Sequence, residues 1–126
     1  MKTKVETEDA PKASAILSQA IVSGGFVFVA GQIHSTSDGQ MIDGTVTEKM
    51  AQIMKNIEAI LDAADSKLDD IVKVTIYVTD MAQMPELNQV YPTYFIEPYP
   101  AREAVCVKEL PLGATIEISV IAAASE

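Results

Sequence analysis

The stretch Ile71-Val72-Lys73-Val74-Thr75-Ile76-Tyr77-Val78-Thr79 alternates apolar and polar side chains. Val72, Val74, Ile76 and Val78 face one way, and Lys73, Thr75, Tyr77 and Thr79 the other. A period of two predicts a strand with one buried face. Upstream, Thr45 and Glu48 form a T-x-x-E capping box, in which two side chains satisfy backbone donors at a helix start. Val46, Met50, Ile53, Met54, Ile57, Ile60, Leu61 and Ala64 follow at helical spacing and make one apolar stripe, so the helix is expected to end near Ala64. Earlier still, Ser18–Ser23 and Phe26–Ala30 flank Gly24-Gly25, a pattern for a hairpin with a two-residue turn. Gly31-Gln32 is expected to end the second of these strands, Ser37-Asp38-Gly39 marks a loop, and Lys2–Val5 offers a short extra strand.

Downstream, a second helix is predicted from Met84, with Pro85 in its first turn and Met84, Leu87, Val90, Tyr91, Tyr94 and Phe95 facing inward. Pro92 removes the hydrogen bond to the Asn88 carbonyl and should kink this helix, and Pro98 and Pro100 stop it. Strands at Glu103–Lys108 and Thr115–Ala123 close the chain around the turn Leu110-Pro111-Leu112-Gly113. The order predicts an α+β fold, a mixed sheet with two helices on one face. The other face would carry Val105, Val107 or their neighbours, and the chain is too short to cover it. A closed oligomer of identical chains is therefore expected, with the bare faces buried against each other.

The 126 residues suit one domain spanning 1–126. Eighteen acidic against nine basic residues give a net charge of −9, which disfavours nucleic acid and anionic membranes as partners. One cysteine excludes an intramolecular disulfide, and one cysteine with one histidine leaves little for a zinc site. The charged start Met1-Lys2-Thr3-Lys4 lacks the apolar run of a signal peptide, so a cytoplasmic location is expected.

Arg102, after the proline-rich helix exit and at the start of a strand, offers a planar fork of donors suited to a carboxylate; the alternative is a surface ion pair with Glu103. Glu117, between Ile116 and Ile118, is either a half-buried carboxylate able to act as a base or a solvent-facing residue of an edge strand. Cys106 reads as a buried, inert thiol. His34 is expected to hydrate in its loop, and Asp62, Asp65, Asp69 and Asp70 to form a solvated helix exit.

Ser18-Gln19-Ala20, Gly31-Gln32-Ile33, Asp70-Ile71-Val72-Lys73, Asn88 with Tyr91 and Phe95, and Pro100-Ala101-Arg102 through Leu110-Pro111 to Glu117-Ile118 occur in order. Together they resemble the Rid (YjgF) family of reactive imine deaminases, over essentially the whole chain. The resemblance implies a chorismate-mutase-like fold, a homotrimer with clefts between subunits, and hydrolysis of 2-imino acids to 2-keto acids and ammonia without metal or organic cofactor. It places Arg102 as carboxylate clamp and Glu117 as water positioner, with Gly31, Asn88 and the strand backbone at Cys106 lining the cleft. Where the deaminase branch usually shows Gly-Pro-Tyr, this chain reads Ala15-Ile16-Leu17, and Ala30 stands where serine is frequent. Leu17 would meet the ligand without a hydroxyl, which motivates an alternative: a member that binds small 2-keto acids and senses them without chemistry.

Overall fold

The computed structural model describes residues 1–125. The capping box forms as read: Thr45 Oγ1 accepts from the Glu48 amide at 3.1 Å and Glu48 Oε1 from the Thr45 amide at 2.8 Å. Behind it, helix α1 runs over Val46–Ala63 and buries Met50, Ile53, Met54, Ile57, Ile60 and Leu61. The predicted stripe also conceals a polar residue, Asn56, whose amide donates to the Ser35 carbonyl at 2.8 Å and ties α1 to the loop after the third strand.

Six strands form one sheet: β1 (Thr3–Val5), β2 (Ala20–Ser23), β3 (Phe26–Ile33), β4 (Ile71–Val78), β5 (Ala101–Cys106) and β6 (Ile116–Ala123), in the spatial order β1-β2-β3-β6-β4-β5. Only β4 and β5 are parallel, joined by a crossover that carries helix α2 (Met84–Val90). Ser23 pairs with Phe26, leaving Gly24 and Gly25 as a two-residue turn with φ of +60° and +85°, values that L side chains adopt only under strain. Pro92 acts as expected, and α2 passes into a 3₁₀ turn at Tyr91–Tyr94. Leu87, Tyr91 and Phe95 are buried under it.

Both helices cover one sheet face. Val74, Ile76, Val78, Ile116, Ile118, Val120 and Ala122 are buried against them, while the residues between these are partly exposed. The opposite face is open, with Phe26 (41%), Phe28 (44%) and Val105 (42%) exposed to solvent. Burial of apolar area is worth about 25 cal/mol per Å², so such a face favours association.

Two bulges alter the reading made from alternation. β4 advances from Ile71 to Lys73 while β6 advances one residue, from Ala122 to Ile121. The extra residue, Val72, is therefore exposed, and Ile71 takes the buried position expected of it. Likewise β3 runs one residue past the Gly31-Gln32 end expected of it. It takes three steps, Val29 to Gln32, against two on β6, and continues to Ile33.

His34 is not hydrated in its loop. It is buried, with Nδ1 donating to the Ile42 carbonyl at 2.8 Å and Nε2 accepting from the Thr115 amide at 3.0 Å. One neutral tautomer satisfies both bonds, and the ring thereby links the loop to the residue before β6. Among the described residues, no helix is long and apolar enough to cross a membrane, and no His/Cys/Asp/Glu cluster is placed to hold a metal ion.

Burial holds the His34 pKa below its ordinary value of 6.5. Between the folded and unfolded values only the unfolded chain binds the proton, so His34 contributes no penalty above pH 6.5 and a growing one as pH falls below it. The thermal midpoint is expected to drop on acidification from neutral pH, and His34→Gln, which keeps a donor and an acceptor but does not titrate, is expected to flatten that drop. Equal slopes for the two proteins would contradict this role.

Candidate functional site

Arg102 is placed by the parallel register of β5 on β4: Val74 lies opposite Arg102, Ile76 opposite Ala104 and Val78 opposite Cys106. Paired residues share a face, so Arg102 projects toward the helix layer. At the sheet edge that layer is thin, and the side chain remains exposed. Its Nη1 donates to Asn88 Oδ1 of α2 at 2.8 Å, and its Cζ lies 4.8 Å from the centroid of the Tyr91 ring. Neither partner is charged.

Glu103, the alternative partner for Arg102, points to the other face. There its carboxylate accepts from Lys73 Nζ at 2.8 Å, which holds its pKa below the ordinary value. The ion pair that would have neutralised Arg102 is thus made by Lys73 instead.

Glu117 lies on β6, opposite Tyr77 of β4 and Ile33 of β3, in the middle of the sheet rather than on an edge strand. Its neighbours Ile116 and Ile118 are buried beneath the helices, so Glu117 faces the open side, half-buried. Burial pushes its pKa above 4.5, and among the described residues no cation pairs with it. The β3 bulge brings Gly31 against this carboxylate. A Cβ on Gly31 would overlap Oε2 and stand 2.8 Å from Cδ. Only glycine lets Glu117 lie there.

Cys106 is exposed, contrary to the expected buried thiol, because edge strand β5 has no neighbour beyond it. The Val107 amide donates to the Val78 carbonyl at 2.8 Å. Strand alternation then turns the Cys106 amide outward, leaving a free donor on the edge. Leu17 is 53% exposed and precedes β2. The Gln19 carbonyl accepts from the Ala30 amide at 2.9 Å, which puts Leu17 at the Gly31 end of the sheet. The groove beside Leu17, about 890 Å³ and lined by Lys4, Lys12, Ser14 and Ser18 among others, contains none of Gly31, Arg102 or Glu117.

The sequence-predicted residues thus form two groups. Asn88, Arg102 and Cys106 gather at the β5 edge, whereas Gly31 and Glu117, with Leu17 toward the same end, belong to the open face. Register separates Arg102 from Glu117 by three residues along the strands and two strands across, roughly 10 Å in each direction, on opposite faces. Within one protomer they share no site. The Lys73–Glu103 pair escaped a linear reading, and Tyr91, named there only as an inward-facing residue and beside Asn88, was not given its contact with Arg102; the signal for it was its i, i+3 spacing from Asn88 on a helix.

Gly31→Ala is expected to drive the Glu117 carboxyl out toward solvent, returning its titration, followed by side-chain carbon NMR, toward 4.5. An unchanged titration would show that the extra methyl is accommodated without moving it.

Residues 7–124 match the family model described as Endoribonuclease L-PSP. A RutC family protein of Pyrococcus horikoshii is 45% identical over 97% of this chain and 98% of its own. The 2-iminobutanoate/2-iminopropanoate deaminase of Rattus norvegicus is 39% identical over 94% of this chain and 87% of its own. The crystal structure of yeast Mmf1 superimposes with a TM-score of 0.96 at 41% identity, covering 99% of this chain and all of that one. A six-stranded mixed sheet with this strand order, two helices on one face, and a match along nearly the whole length lead to one conclusion: the chain belongs to the Rid (YjgF) family.

Proposed function

We propose that the protein hydrolyses 2-imino acids to 2-keto acids and ammonia, at clefts where the β5 edge of one protomer meets the open sheet face of another, in a homotrimer. The observation that carries this reading is the unneutralised guanidinium of Arg102, gripped by two uncharged partners and free to bind a carboxylate. The separation of Arg102 from Glu117 supports an assembled site, as do the exposed Phe26, Phe28 and Val105.

In the reaction, Arg102 holds the substrate carboxylate by charge-assisted hydrogen bonds, with the Cys106 amide available as a further donor. Glu117 orients a water molecule toward the C=N carbon and takes its proton. The new C–O bond forms as the C=N π pair moves to nitrogen. Glu117 returns that proton to nitrogen, giving a carbinolamine. The carbinolamine hydroxyl then gives its own proton to nitrogen by way of Glu117, the freed O–H pair becomes the C=O π bond, the C–N pair leaves with nitrogen, and ammonia departs from the keto acid. The carbon is already electrophilic, so alignment and a fixed charge supply most of what is needed. A pKa raised by burial makes Glu117 a stronger base than a solvated carboxylate.

The exposed, hydroxyl-free Leu17 favours a second reading, a 2-keto acid sensor that binds without turnover. Calorimetry with 2-ketobutyrate separates the two: saturable binding without imine hydrolysis selects the sensor. The acidic net charge makes RNA a poor ligand for either.

Imino acid generated by an amino-acid oxidase is expected to yield keto acid faster with the protein than without it. Arg102→Ala should cost about 2–5 kcal/mol in kcat/KM, roughly 30- to 5,000-fold. The wild type should lose activity in acid with an apparent pKa above 4.5, as Glu117 becomes protonated and can no longer accept a proton. No acceleration, or an Arg102→Ala protein as fast as wild type, would refute the deaminase.

Shared sites make a separate demand. Arg102→Ala and Glu117→Gln chains, each inactive alone, should regain about one quarter of wild-type activity when unfolded, mixed equally and refolded together, because that fraction of clefts receives both intact residues. No recovery would place both residues in one protomer's site.

A further inference from the structure

Arg102 carries five N–H donors on a long, flexible side chain, and a clamp works only if its fork is held in one pose. Asn88 Oδ1 engages a single donor, on Nη1. One hydrogen bond leaves the plane of the guanidinium free to swing about that contact. The structure supplies a second restraint from Tyr91, whose ring lies under the guanidinium with 4.8 Å between Cζ and the centroid.

Tyr91 is itself immobilised. It is 7% exposed, follows Asn88 by three residues where α2 passes into its 3₁₀ turn, and packs on Phe95 with ring centroids 4.8 Å apart. Its hydroxyl is the one buried side-chain polar atom without a hydrogen-bond partner among the described residues. The phenol oxygen therefore gives Arg102 no hydrogen bond, and whatever Tyr91 contributes comes from its ring face.

We infer that Tyr91 is a positioning residue for the carboxylate clamp, its ring face fixing the plane of the Arg102 guanidinium so that the edge not used by Asn88 faces the ligand. The inference rests on the deaminase reading for its consequence in catalysis but not for the geometry. A guanidinium over an aromatic face is attracted to the ring quadrupole while its in-plane donors stay free. An acidic partner would have occupied those donors and cancelled the charge.

The ring and the hydroxyl make opposite predictions. Tyr91→Phe keeps the face and removes an unpartnered buried oxygen, so it should match wild type in kcat and KM. Tyr91→Leu keeps apolar volume and removes the face, so it should raise KM for imino acid, and Kd for 2-ketobutyrate, roughly three- to tenfold with kcat within about twofold. Tyr91→Met tests the same loss should the leucine variant fold poorly.

A readout without substrate comes from ¹⁵N NMR of the Arg102 guanidinium. Its Nε–H resonance should be ring-current shifted in the wild type and Tyr91→Phe, and should move to the position of a freely rotating arginine in Tyr91→Leu. An unshifted resonance in the wild type, a Leu or Met variant with unchanged KM and resonance, or a Phe variant as impaired as Leu would overturn the inference. A wild type that neither binds 2-ketobutyrate nor turns over imine, yet shows the Tyr91-dependent shift, would sink the deaminase reading and leave the positioning role standing.

Discussion

Strand β6 enters the sheet between β3 and β4, and this insertion places most of what the site needs. Its antiparallel pairing buries Ile116, Ile118, Val120 and Ala122 under α1 and commits Glu117 to the opposite face. A slip of one residue would exchange the faces, burying a carboxyl group among isoleucines and turning the isoleucines outward, an unfavourable change on both faces. The buried pairs of Val29 with Val120 and Val74 with Val120 make that slip prohibitive. The bulge on β3 is equally tied to β6, since it delivers Gly31 to the spot where Glu117 needs the absence of a side chain.

Charge is distributed so that the two candidate residues, Arg102 and Glu117, stay unpaired. Lys73 takes Glu103 on the open face, while Arg102 on the other side meets an amide and an aromatic ring. Glu117 has hydrophobic strands beneath it and glycine beside it, and no cation among the described residues. A cation and an anion that might have found each other in one chain are kept apart by the sheet. Among the described residues neither forms an ion pair.

His34 and Asn56 show how the connections around β6 are held. His34 bridges the Ile42 carbonyl and the Thr115 amide, and Asn56 ties the Ser35 carbonyl to α1. Buried polar groups so satisfied fix the loop ends without a charge. They anchor a loop rich in Ser, Thr, Asp and Gly where it meets the sheet: the His34 ring closes it onto Ile42 and onto Thr115, and Asn56 holds its start to α1.

Local patterns in the amino-acid order determined α1 with its capping box, the glycine hairpin, the burial phase of β6 and the kink at Pro92, because each depends on contacts within a few residues or on one fixed backbone angle. The motif Pro100-Ala101-Arg102 with Glu117-Ile118 identified the family and both candidate residues. Only tertiary structure decided the exposure of Val72, the extension of β3 to Ile33, the burial of His34, the exposure of Cys106 and the central position of Glu117. Each of these depends on which strand lies alongside, and a bulge or an edge is a relation between two segments that neither encodes alone. The same holds for the division of the site. Arg102 and Glu117 are fifteen positions apart in the chain, yet parallel pairing on one side and antiparallel pairing on the other set them on opposite faces of a single sheet.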